Sequence, residues 1–266
     1  MNNFVLGKYL PLDSLVHRLD PRVKIVAMLM LLITLFFPIG WVGYGVIGFF
    51  ALLMTKLAKL KLKFIYTAMK PMIFMLCFLF ILNIFVLKTG TLLFEWGWFS
   101  VYSDAIFQTL FIAVRLVLMI IITTILTATT KPLNLTLGIE DLLAPFNRFG
   151  VPAHEIAMLI SIALRFIPDL IEETQKILKA QASRGVDLAE GKIKEKVMAI
   201  LSLIVPLFVS SFQRAEDLAN AMESRGYNPD KKRTRYKVLK IENRDRIFML
   251  CVFILVISMI VYSFVL

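Results

Sequence analysis

The strongest constraint on the fold is a stretch of 31 residues, 25–55, that contains no charged side chain. One helical membrane crossing takes about 20 apolar residues, so this stretch exceeds one crossing and is short for two. Lysine and arginine stand on both sides of it, and basic residues mark the cytoplasmic side of a membrane protein. Both ends therefore lie on that side. We predict a hairpin of two short helices that turns at Pro38-Ile39-Gly40.

Three more apolar runs, at 71–87, 105–130 and 247–266, complete the predicted membrane part. The composition agrees, because 59% of the residues are hydrophobic, against about 45–50% in soluble domains. The basic residues around the runs predict five crossings, with the N-terminus inside and the C-terminus outside. The predicted class is an all-α membrane protein with about five transmembrane helices.

The chain divides into four predicted parts. These are a cytoplasmic N-terminal segment at 1–24, four transmembrane helices at 25–130, a cytoplasmic or membrane-surface region at 131–246, and a last transmembrane helix at 247–266. In the third part, the spacing of the apolar residues predicts two long helices, from 152 to 184 and from about 192 to 225. Within the second of them, residues 197–213 are uncharged but short and have cationic flanks. We favour a position along the membrane surface or against other helices over the alternative, a further membrane crossing.

Both long helices end in the same pattern, Ala-x-x-Ser-Arg-Gly. It places Ser183, Arg184 and Gly185 at the first end, and Ser224, Arg225 and Gly226 at the second. Glycine suits a left-handed C-cap, and a cation near a helix C-terminus gains about 0.3–1 kcal/mol, so simple helix termination is one interpretation. The other is recognition, since two projecting arginines offer guanidinium donors to two acidic grooves on other proteins.

Three further residues are structural or hinge candidates. Pro168 and Pro206 lie inside the two long helices, where proline removes a backbone hydrogen bond and bends a helix. Arg115 lies inside the fourth apolar run, and an intramembrane arginine is costly without a partner. Loop carbonyls or an outside acid such as Glu95 would satisfy it in a structural role, which we favour over a tie to the region 131–246.

No catalytic, cofactor or metal site is predicted. His17 and His154 are far apart, without a ligand cluster, and Cys77 and Cys251 lie in apolar runs that predict buried positions. The sequence GVDLAEGKI from Gly185 does not have the spacing of a phosphate-binding loop, so we expect no ATP site. The basic residues at 231–235 precede the last span and are better explained as a membrane anchor than as a nucleic-acid site.

Four segments make the chain resemble a known family. They are DSLVHRLDPRVKI at 13–25, AVRLVL around Arg115, LRFIPDL around Arg165 and Pro168, and the paired Ser-Arg-Gly ends. In these the chain is similar to EcfT, the transmembrane coupling subunit of energy-coupling-factor vitamin transporters, which is related to CbiQ of cobalt uptake. The resemblance covers the whole chain. The family pattern has Ala-Arg-Gly at each coupling tip, and serine replaces alanine here at positions 183 and 224.

The resemblance implies a coupling role in an ATP-driven importer of the bacterial plasma membrane. Two cytoplasmic ATP-binding subunits would each receive one helix end, and a substrate-binding membrane subunit would lean on the apolar halves of the helices. The resemblance does not indicate which vitamin is carried, or how many binding subunits share the chain. The main alternative is a self-contained secondary transporter or channel, which predicts inverted repeats and polar groups at mid-membrane. An intramembrane enzyme is a weaker alternative, because no catalytic constellation is present.

Overall fold

A computed structural model describes residues 9–86, 89–96, 99–150, 152–185, 193–228 and 239–265. The chain forms two compact units, Met1–Leu142 with Leu239–Leu266, and Leu143–Val238. We call them the first and second units. Most of the GVDLAEGKI segment (186–192) and the basic residues at 231–235 lie outside the described residues.

The described residues contain eight α-helices, which confirms the predicted class. The first unit holds α1 (Pro21–Thr34), α2 (Gly40–Leu57), α3 (Leu62–Val86), β1 (Leu92–Trp96), β2 (Phe99–Tyr102), α4 (Ser103–Thr129), α5 (Pro132–Leu143) and α8 (Asn243–Val265). The second unit holds a 3-10 helix (Ala144–Phe149), α6 (Ala153–Ser183) and α7 (Ile193–Ser224). Helix α5, which falls in the predicted cytoplasmic or membrane-surface region 131–246, belongs to the first unit up to Leu142.

The predicted break at Pro38-Ile39-Gly40 is confirmed, because α1 ends at Thr34 and α2 begins at Gly40. Proline at the first position of α1 and the Asp20 side chain, which accepts from the Arg22 N–H over 2.9 Å, start the first helix. At the turn, Ile39 is fully buried and packs so closely on Gly43 that an added Cβ would lie 2.5 Å from the Ile39 Cβ. The apolar core of the first unit continues from this turn along α1, α2, α4 and α8.

Five of the described helices are long and apolar enough to cross a membrane, but they are not the five predicted. They are α2, α3, α4, α7 and α8. Helix α1 has 14 residues, about 21 Å, which is short of the roughly 30 Å of a bilayer core. Helix α7 is long enough to be a candidate span because its apolar run is part of one uninterrupted helix of 32 residues.

Three features differ from the prediction, namely the start of α3, the segment that follows α3, and the exposure of the two cysteines. Helix α3 begins at Leu62, so Pro71 lies inside it, as transmembrane helices tolerate. Strands β1 and β2, which were not predicted, pair antiparallel after α3. Cys77 and Cys251 are free and exposed, because each lies on a helix face directed away from the core.

Candidate functional site

The first candidate residues lie where α6 ends. The helix runs without interruption to Ser183, and Arg184 caps it with φ −91° and ψ 7°. Gly185 then turns left-handed with φ 81°, and its N–H donates to the Ala182 carbonyl over 3.0 Å. The predicted glycine C-cap is therefore confirmed at this end.

Helix α7 ends in the same way, with the full hydrogen-bond pattern of a Schellman cap. Gly226 has φ 70°, and its N–H donates to the Glu223 carbonyl over 2.8 Å. The Tyr227 N–H donates to the Met222 carbonyl over 2.9 Å. These two bonds satisfy carbonyls that would otherwise be unpaired at the end of a helix.

The side chains at both ends are directed outward. Ser183 and Ser224 are exposed, and their hydroxyls donate to carbonyls of their own helices, those of Lys179 and Ala221. Arg184 and Arg225 are exposed as well, and neither forms an ion pair or a side-chain hydrogen bond with the described residues. Two guanidinium groups with five donors each are thus available to a partner.

Helices α6 and α7 pack antiparallel within the second unit. The Gln181 Nε2 of α6 donates to the Ser202 carbonyl of α7 over 3.3 Å, close to the end of α6. Near the other end, the Tyr227 hydroxyl contacts the Met158 sulfur at 3.4 Å. Arg225 follows Ser202 by 23 positions, about 35 Å of helix, so the two Ser-Arg-Gly ends lie at opposite ends of the pair.

An ion pair joins the two helices between these contacts. The guanidinium of Arg214 on α7 donates to the Glu173 carboxylate on α6, and lies 3.9 Å from the Asp169 carboxylate. These groups are partly buried to exposed, where a charge pair contributes about 0–1 kcal/mol of stability. They join α6 and α7 at a point between the two contacts described above.

The face of α7 that is turned away from α6 is apolar and exposed. It carries Val197, Met198, Ile200, Leu201, Ile204, Val205, Phe208, Val209 and Phe212, each at least 45% exposed. Phe208 and Phe212 stack with ring centroids 4.6 Å apart. An exposed apolar face of this size is typical of a surface that contacts lipid or another protein.

Pro168 and Pro206 both lie inside continuous helices, in α6 and α7. Both are exposed. Neither proline ends its helix.

Arg115 has a partner that the sequence did not indicate. Its Nε and Nη2 groups donate to the Tyr44 hydroxyl over 2.9 and 2.8 Å, and Tyr44 is only 4% exposed. The contact joins α4 to α2 beside a ring pair, Trp41 and Phe111, with centroids 4.0 Å apart. The side chain of Glu95, one expected partner, is not among those that the structure describes.

Residues 13–25, which carry one of the family segments, pack their polar groups against α8. One carboxylate oxygen of Asp245 accepts from the Asp20 N–H over 2.9 Å, and the other accepts from the Glu242 N–H over 2.7 Å. Asp245 is 2% exposed. A single buried carboxylate therefore binds the backbone at the start of both α1 and α8.

Lys24 lies buried in the same place. Its Nζ donates to the carbonyls of Thr129 and His17 and to the Thr130 hydroxyl, over 3.2 to 3.4 Å. Burial lowers the pKa of Lys24 to about 8, and the negative charges of Asp245 and Asp20 act in the opposite direction.

Among the residues described, no group of three or more His, Cys, Asp or Glu side chains could hold a metal ion. His17 is engaged otherwise, with its ring nitrogens 2.7 Å from the Ser14 hydroxyl and 3.0 Å from the Leu10 carbonyl.

Comparison with known proteins shows similarity to one family over nearly the whole chain. A family model described as cobalt transport protein, CbiQ, matches residues 13–236. The "energy-coupling factor transporter transmembrane protein EcfT" of Clostridium kluyveri is 45% identical over 259 residues, which cover 96% of this chain and 95% of the relative. The proteins of that name from Bacillus subtilis and Thermosediminibacter oceani are 44% and 40% identical, and cover 92% and 100% of each chain. The chain therefore belongs to the CbiQ family and, within it, to the energy-coupling factor transporter transmembrane proteins called EcfT.

Proposed function

We propose that this multi-pass membrane protein transmits ATP-driven motion from two cytoplasmic ATP-binding subunits to a substrate-binding membrane subunit, for uptake of a vitamin or another micronutrient. The observation that carries the proposal is the pair of exposed Ser-Arg-Gly ends, each held by a left-handed glycine. The chain itself binds no ATP in this proposal. It supplies the mechanical link.

Each helix end would bind in a socket, by which we mean an acidic groove on one ATP-binding subunit. Arg184 and Arg225 project from hydrogen-bonded caps, so the backbone that carries them is already ordered before a partner binds. Carboxylates in a groove would accept them as bidentate, charge-assisted hydrogen bonds. The separation of about 35 Å along α7 supports two sockets on two subunits rather than one shared socket.

The antiparallel pair would carry the motion. A displacement imposed at Arg184 reaches α7 through the contact of Gln181 with Ser202, and one imposed at Arg225 reaches α6 near Met158. When the ATP-binding subunits close, the whole pair would tilt or shift. The region 131–246 is thus the cytoplasmic coupling region of the proposal.

The exposed apolar face of α7 would contact the substrate-binding subunit or the lipid around it. Contacts of this kind need no matched charges, so different binding subunits can use one face. The charged residues of α7 begin again at Arg214, so the last third of the helix would lie in water.

The two helix prolines would let the apolar and polar halves lie at different angles. Replacing Pro206 with alanine is expected to reduce transport without releasing the ATP-binding subunits.

Co-purification from membranes tests the proposal. The variants Arg184→Gln and Arg225→Gln are each expected to weaken retention of an ATP-binding subunit by about tenfold or more, as loss of a charged hydrogen bond implies. The control Lys176→Gln removes one exposed charge from α6, eight positions before Arg184, and should retain both subunits. Full retention in the double arginine variant would contradict the proposal. Solute movement by the purified chain alone in liposomes would instead favour a secondary transporter.

A further inference from the structure

The turn between α2 and α3 has an unusual backbone. Lys59 has φ 56°, and it is the sole non-glycine residue with a positive φ among those described. Its N–H donates to the Lys56 carbonyl over 3.0 Å, and the Leu60 N–H donates to the Thr55 carbonyl over 3.2 Å. This is the same cap as at the end of α7, but with lysine where α7 has glycine.

A lysine in this conformation is less stable than a glycine would be, because its Cβ crowds the backbone. Strained residues cluster at functional sites, which makes the Lys59 side chain a candidate for binding a ligand. At position 59 the side chain adds an exposed positive charge, which points to the partner.

The turn is held firmly in place. Ala58 and Leu60, on either side of Lys59, are 0% and 7% exposed and pack with Val16, Leu19 and Ala128. The backbone that carries the lysines is therefore fixed relative to the first unit.

Four lysines lie within eight positions of this turn: Lys56, Lys59, Lys61 and Lys63. All are exposed, and none forms an ion pair within the described part of the chain. The nearby carboxylate of Asp13 is already bound by Arg18 through two hydrogen bonds of 2.9 and 2.6 Å. The turn, which we call the lysine turn, thus has an excess of positive charge.

Position along the membrane helices selects the ligand. The lysine turn connects two helices that are candidate spans, α2 and α3, so it lies where such spans meet the lipid headgroups. Leu53 and Leu57 before the turn and Tyr66 after it are 39–62% exposed, which leaves apolar surface beside the lysines for acyl chains. We propose that the lysine turn is a binding site for the phosphate headgroup of an anionic phospholipid.

The test uses the full chain in nanodiscs of phosphatidylcholine with a fluorescent phosphatidylglycerol probe. A lysine near an anionic headgroup contributes about 1 kcal/mol, about fivefold in affinity. The variant Lys59→Gly/Lys61→Gln/Lys63→Gln is expected to lower the preference for phosphatidylglycerol over phosphatidylcholine by at least about tenfold, and added salt should lower it in the unchanged chain.

A matched control removes three exposed charges from the second unit, with Lys176→Gln/Lys179→Gln/Lys194→Gln. It should keep the preference of the unchanged chain. An equal loss in this control, or no loss in the lysine-turn variant, overturns the proposal. Loss of a co-purifying protein with the lipid preference intact also overturns it, and assigns the turn to a protein contact.

The single variant Lys59→Gly separates binding from folding. Glycine accepts φ 56° without strain, so its unfolding temperature is expected to equal or exceed that of the unchanged chain, while the lipid preference falls by about fivefold. A lower unfolding temperature with unchanged lipid preference would show that Lys59 serves the fold alone. Neither result depends on the ATP-binding subunits, so this test can fail while the proposed function holds.

Discussion

At the scale of single residues, Asp245 has the most demanding position in the first unit. Its two oxygens accept backbone N–H groups at the starts of two helices, and it is buried. Hydrogen bonds to a charged group contribute about 1.5–3 kcal/mol each, and a buried N–H left without an acceptor destabilises by about 1–3 kcal/mol.

We predict that Asp245→Ala lowers the free energy of unfolding by about 3 kcal/mol or more, and that Asp245→Asn lowers it less, because the amide oxygen keeps one acceptor. Thermal unfolding in detergent would measure both. The exposed Asp217→Ala on α7 serves as the control and should change little. Equal effects of the alanine and asparagine variants would contradict this role.

Lys24 predicts a pH dependence whose sign follows from its burial. The pKa in the folded chain is about 8 and the ordinary value is 10.5, so between these values the unfolded chain binds a proton that the folded chain does not. Raising the pH from about 8 to about 10.5 therefore stabilises the folded chain relative to a Lys24→Met reference. Unfolding midpoints of both chains across this range check the difference. A difference that stays constant or decreases with pH would show that Lys24 keeps its proton.

At the scale of helices, the ion pair between α6 and α7 allows two steps to be tested separately, namely binding of the ATP-binding subunits and transmission of their motion. Arg214 contacts Glu173 and Asp169 across the pair and is distant from both helix ends in sequence. We predict that Arg214→Gln lowers transport while both ATP-binding subunits still co-purify, because the register of the pair is loosened. Glu173→Gln should lower transport similarly, and the double variant should be no worse than either alone. Additive losses would indicate that the two residues act separately.

Local signals explain which helix limits could be predicted. A proline before α6 and the glycines after α6 and α7 fix those helix ends from neighbouring residues alone, and the observed ends at Ser183 and Ser224 agree with the prediction to within one residue. The start of α3 was wrong because Pro71 was taken as a beginning, although a membrane helix can contain proline.

Long-range contacts could not be predicted from the sequence. Tyr44 and Arg115 are separated by 71 positions, and nothing in the local pattern around Tyr44 selects it from the other tyrosines. The antiparallel order of α6 and α7 likewise depends on side chains such as Gln181 and Ser202, which the apolar pattern does not distinguish. The candidate spans include α7, which was not predicted to cross, and leave out α1, which was. Charged residues and apolar runs locate a span in the sequence, but they do not give the length of the helix that forms.

At the scale of the whole molecule, the proposed function depends on two helix ends that are exposed and that carry the same Ser-Arg-Gly sequence. Both arginines are exposed, both glycine caps are rigid, and the ends lie on opposite ends of one helix pair. A chain with this arrangement can receive force at two points and has its apolar surface available between them.

Site-specific photo-crosslinking in the assembled transporter tests this claim most directly. A photoreactive amino acid is placed at Ser183, at Ser224 or, as a control, at Lys176, all of them exposed. The account predicts a crosslink to an ATP-binding subunit from each of the two helix ends, and none from position 176. Absence of a crosslink from both ends, in a complex that still hydrolyses ATP and transports its substrate, would contradict it.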